Sequence, residues 1–165
     1  MDARTRAWID QEDAQMRTVV RRHGWMIRYV GGGCNAPGCE CPPDDGPAFA
    51  YTVGLFGLAH PELLIFGVAP ETAMSVLNAL GERIRSGEDL IPDRLVSLPQ
   101  WPHHLIPETV PNPGAIAFDA NRFYRRRRAG SVPVLQLGYC DDEDRFPWED
   151  GYSGPEQPRP GTFTA

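Results

Sequence analysis

Cys34, Cys39 and Cys41 crowd into one Gly/Pro-rich stretch, and Cys140 stands far along the chain as a fourth thiol. Thiolates gathered on one loop suit tetrahedral zinc, which takes four nitrogen or sulfur ligands. The intervals, four residues and then one, depart from the paired two-residue knuckles that mark zinc fingers. Spacing alone therefore leaves a redox-active pair and ordinary free cysteines open beside a structural zinc.

A second group is Tyr51-Thr52-Val53-Gly54-Leu55 followed by His60-Pro61-Glu62. An imidazole and a carboxylate two residues apart, beside two hydroxyls, can serve as general acid and base or orient a ligand. The same side chains also make a turn, with His60 bonded to loop carbonyls and Glu62 in solvent. A third group is Arg122 with the run Arg125–Arg128. Guanidinium forks grip phosphate and carboxylate, although cations near a helix C-terminus also complement its dipole. The acidic stretch Asp141–Asp144 competes for that run if the chain folds back onto it. The fourth group, Phe146-Pro147-Trp148-Glu149 with Tyr152, reads as a hydrophobic lid or as a ligand groove.

Other catalytic patterns are missing. No Ser stands in a nucleophile elbow, no glycine fingerprint follows a strand, and the adjacent His103 and His104 would point to opposite faces of a strand. All 16 basic residues are Arg, which excludes Schiff-base and P-loop lysine chemistry. A formal charge of -6 opposes bulk attraction to nucleic acid or anionic lipid and leaves the local Arg125–Arg128 patch as the exception. The longest apolar run, 63–69, is too short to span a bilayer, and the N-terminus is polar, so a cytoplasmic protein without membrane insertion is expected.

The elements that must hold these groups follow from periodicity. Asp2 caps a helix ending at Gly24, on which Ile9, Met16, Val19 and Val20 recur. Trp25–Val30 and Ala48–Gly54 alternate as strands, the second with a large face and a small one. Leu63–Val68 is apolar on both faces, as a central strand is. Pro70 opens a helix carrying Ala73, Val76, Leu77, Leu80 and Ile84. A short strand at Leu95–Leu98, a Pro-rich stretch through Pro111, a helix capped by Asn112-Pro113 and a last strand at Val132–Tyr139 complete the series. With 17 Gly and 17 Pro among 165 residues, the fold is rich in turns. The order predicts a single α+β domain over 1–152, with a mixed or mostly antiparallel sheet covered on one face by about three helices, and a loosely ordered tail at 153–165.

The motifs Tyr51–Leu55, His60–Leu63, Leu77-Asn78, Pro133–Leu137 and Phe146–Glu149, in that order, resemble the bacterial family catalogued as domain of unknown function 4262, over about residues 20–158. The resemblance implies no activity. The residues themselves point to a non-catalytic module binding a small molecule or protein partner, in a pocket of Ala50, Thr52, Gly54, His60, Glu62 and Trp148, with Tyr51 and Arg122 as further contacts. The alternative is a small hydrolase using His60 and Glu62, or a zinc held by thiolates and histidine.

Overall fold

The computed structural model describes residues 1–32, 37–38, 40 and 46–165. Among these described residues three helices, α1 (Ala3–His23), α2 (Pro70–Arg85) and α3 (Phe118–Phe123), surround a sheet of six strands. The strands are β1 (Met26–Val30), β2 (Phe49–Val53), β3 (Glu62–Phe66), β4 (Val96–Leu98), β5 (Trp101–Thr109) and β6 (Val134–Tyr139), ordered β1-β2-β3-β6-β5-β4. Among the described residues only β3 and β6 run parallel, so the sheet is mixed and the fold is α+β.

Local chemistry accounts for the ends of the two long helices. Asp2 accepts the Thr5 N–H at 2.7 Å, satisfying one of the donors that every helix start leaves open, and Gly24 turns the chain out at φ +97°. Pro70 begins α2, where its missing N–H costs nothing, and Gly87 follows the helix at φ +97°.

Both faces of the sheet are covered, not one. Alternation along β3 sends Leu63 and Ile65 into a core with Ala73, Val76, Leu77 and Leu80 of α2, whereas Leu64 and Phe66 join Met16 of α1 and Ala120 of α3 on the opposite side. On the strands beyond the reach of α1 and α3, residues 146–165 take the place of a helix. Gln136 of β6 donates to the Pro158 carbonyl at 2.6 Å, and the Gln157 side chain bonds both the N–H and the carbonyl of Tyr139. Phe163 packs edge-on against Phe49 and Phe66.

The Pro-rich stretch holds the longest strand, β5. Its prolines sit where a neighbouring strand has ended: Pro102 lies past the Leu105–Tyr139 pair that closes β6, and Pro107 lies past the Val96–Leu105 pair of β4. A missing N–H at those positions removes no ladder bond on the open side. The helix expected from Asn112 is broken into a 3₁₀ turn, Pro113–Ala115, and the short α3, because Asn112 turns its amide to the Phe163 carbonyl instead of capping.

Candidate functional site

His60 and Glu62 are both buried, and each is saturated by internal hydrogen bonds. Nδ1 of His60 lies 2.8 Å from the Pro61 carbonyl and Nε2 accepts the Leu90 N–H at 3.1 Å, so the neutral imidazole clamps the loop after α2 to the turn before β3. Glu62 accepts the N–H groups of Gly54, Leu55 and Phe56 and the Thr52 hydroxyl, the last at 2.6 Å. Its carboxyl thereby caps the 3₁₀ turn Leu55–Leu58. Burial pushes its pKa up to about 7, against the four hydrogen bonds that favour the charged form. The Glu62 charge in turn adds to burial in raising Tyr124 to about 12. The reading of Glu62 as solvated is thus corrected, and among the described residues no hydrogen bond joins it to His60.

The small face of β2 is filled rather than open. Ala50 and Thr52 are fully buried, and a Cβ on Gly54, at φ +134°, would come within 2.6 Å of the Trp25 Cα. Tyr51 points to the other side, where its hydroxyl accepts the Asp119 N–H at 3.1 Å and burial raises its pKa strongly. Arg122 meets the same residue: it pairs with Asp119 and Asp13, both at 2.7 Å, while Arg28 pairs with Asp119 and Glu12. This network ties α1, β1 and α3 together. Trp148 lies elsewhere, stacked on Phe146 at 4.8 Å, under the Arg159 guanidinium at 4.6 Å, and over Gly138, where a Cβ would meet its ring at 3.0 Å. Arg159 reaches on to Glu108 with both nitrogens. The nominated ligand residues Tyr51, Thr52, His60, Arg122 and Trp148 therefore do not converge on one pocket.

Cys34, Cys39 and Cys41 fall outside the described residues. Cys140 is a buried thiol whose sulfur accepts the His104 N–H at 3.2 Å and whose pKa burial raises. His104 bonds Ser97 through Nδ1 at 2.8 Å, whereas His103 faces Trp101 and Tyr139. Among the described residues no group of three His, Cys, Asp or Glu side chains could hold a metal. The Asp141–Asp144 stretch does not return to the arginine run, because the two follow and precede β6 and so lie at its opposite ends. Asp141 instead closes its own loop, accepting the N–H groups of Glu143, Arg145 and Ser153.

One feature was not foreseen from the sequence: a cleft of about 530 Å³ between the end of α1, β1 and α2. Trp25 forms its floor. The indole N–H donates to Asn78 Oδ1 at 2.9 Å, and the ring presses so closely on α2 that a Cβ at Gly81 would lie 2.5 Å from it. The Arg85 guanidinium rests 4.4 Å over the indole and donates to the His23 carbonyl. Val19, Met26, Ile27 and Met74 give apolar walls; Arg22 and Arg85 outnumber Glu82. A glycine in the middle of an otherwise regular helix, facing the core, was the available signal for a side chain crossing there.

Every lining residue of this cleft falls within the span 19–153, over which the chain matches the family model described as domain of unknown function (DUF4262). No curated protein and no solved structure gives a match. The motif residues are the ones that knit the domain: Glu62 caps the turn after β2, His60 clamps Leu90, Asn78 holds Trp25, Gln136 anchors the C-terminal segment, and Glu149 accepts the Phe146 N–H. With the model matching well over half of its length, the chain belongs to this family of unknown function.

Proposed function

We propose that the protein is a non-catalytic binding module, and that the cleft between α1, β1 and α2 takes a small carboxylate with an apolar body. The observation that carries this reading is Arg85, held 4.4 Å over a buried Trp25 at the mouth of a cleft with apolar walls. Its partner Glu82 is 3.7 Å away and both side chains are well exposed, so the pair contributes little and can be exchanged for a ligand anion. Arg22 adds a second guanidinium at the same mouth. Apolar walls with a few convergent polar groups are the usual make-up of small-molecule sites. The competing hydrolase requires His60 and Glu62 to abandon backbone partners buried in the fold, at a cost of about 1–3 kcal/mol for each group left unpaired.

The test is a titration with a panel of aliphatic and aromatic carboxylates, followed through the Trp25 indole N–H resonance. Saturable shifts centred on Trp25, weakened at least about tenfold by Arg85→Ala and unaccompanied by any chemical change in the ligand, are expected. Turnover of simple esters that His60→Ala abolishes while the fold persists would replace this reading with the enzyme.

A further inference from the structure

Arg125, Arg126, Arg127 and Arg128 form an exposed cationic run on a chain of net charge -6. Elsewhere the arginines that neighbour carboxylates are matched: Arg28 and Arg122 take up Glu12, Asp13 and Asp119 on the adjoining surface. Among the described residues, none of the four guanidiniums in the run pairs with a carboxylate, and the acidic stretch after β6 lies at the far end of that strand. Helix-dipole compensation does not explain the run. α3 ends at Phe123, Arg125 turns the chain at φ +53°, and Arg126 closes the end by bonding the Asn121 carbonyl at 2.7 Å. Arg127 and Arg128 therefore lie beyond the last turn, where the dipole has faded.

The run also has an aromatic floor. The Arg126 guanidinium sits 5.7 Å over Phe56, which packs edge-on against Tyr124 at 4.9 Å, and Tyr124 against Phe123 at 4.8 Å. We propose that Arg125–Arg128, together with Phe56 and Tyr124, form a site for the phosphate backbone of single-stranded nucleic acid. Guanidinium forks bind phosphate oxygens, and the partly buried rings beside them leave some surface on which bases can stack without sequence preference. A rigid duplex or a flat anionic membrane needs a broad cationic face. This patch is one short run of four residues, which a flexible strand can reach with a few phosphates at a time. This site is independent of the cleft around Trp25.

The experiment is fluorescence anisotropy of the full chain with labelled oligothymidylate and oligouridylate of about 20 nucleotides, at low and moderate salt. Four phosphate contacts give a log–log salt slope near -3, so affinity should fall about 50-fold between 50 and 200 mM salt. Arg127→Glu with Arg128→Glu, side chains that form no hydrogen bond among the described residues, should weaken binding at least about tenfold and flatten the slope, with the thermal midpoint unchanged. Arg4→Glu with Arg6→Glu, which makes the same charge change on α1, should leave binding intact. Equal losses from both pairs of substitutions, tighter binding of a duplex than of the single strand, binding of anionic vesicles without the oligonucleotides, or no anisotropy change up to about 100 µM protein would each overturn the proposal.

Discussion

His60 Nε2 accepts the backbone N–H of Leu90 across 30 residues of chain, at 3.1 Å inside the fold. A side chain with the chemistry of a general base thus works as a clamp between the turn before β3 and the loop after α2. His60→Ala leaves the Leu90 N–H buried without a partner and opens a cavity, so a loss of about 3 kcal/mol in urea unfolding is expected. Carboxylate binding in the Trp25 cleft should be unaffected in the folded fraction.

Glu62 makes stability pH-dependent in an unusual direction. Its folded-state pKa of about 7 stands above the ordinary glutamate value of 4.5, so the folded protein binds the extra proton. The contribution is complete below about pH 4.5 and is lost as pH rises through about 7. Thermal midpoints measured across that window should reveal it, with the Glu62 carboxyl carbon followed by NMR. Thr52→Val removes a donor to the charged form and should move the titration above about 7 while destabilising the fold.

Gly81→Ala separates helix propensity from packing. Alanine favours a helix interior by about 1 kcal/mol over glycine. Here the new Cβ would meet the Trp25 ring at 2.5 Å, and overpacking of that kind costs about 1–3 kcal/mol. A net loss of stability and a displaced Trp25 indole resonance are expected, together with weaker cleft binding.

Arg125 occupies the left-handed position that ends α3, at φ +53°. Arg125→Gly should raise stability by about 1 kcal/mol in chemical denaturation, because glycine bears no Cβ penalty there. The same variant should weaken oligonucleotide binding, so that stability and affinity move in opposite directions.

Elemental analysis of protein purified without chelator tests the thiol-rich loop. A structural zinc held by Cys34, Cys39 and Cys41 would give about one zinc per chain, with thiols protected until unfolding. Freely titrating thiols and no metal would remove that site.

The sequence by itself determined the parts whose physics is local. Asp2, Gly24, Pro70 and Gly87 marked the two long helices because caps and breakers act within a turn, alternation identified β1 and β2 because successive side chains must face opposite sides, and an unbroken apolar run identified β3. The family motifs were also legible, since they are contiguous residues. What depends on neighbours distant in the chain was not. The prolines of β5 gave only a Pro-rich stretch until the ends of β4 and β6 showed where no partner remained for them. His60 and Glu62 look reactive as a pair of residue types; only their buried hydrogen bonds to Leu90, Thr52 and the Gly54–Phe56 backbone make them structural. The Trp25 cleft joins α1, β1 and α2, so its composition is decided by which faces those elements turn toward one another, a choice made by packing of the whole core.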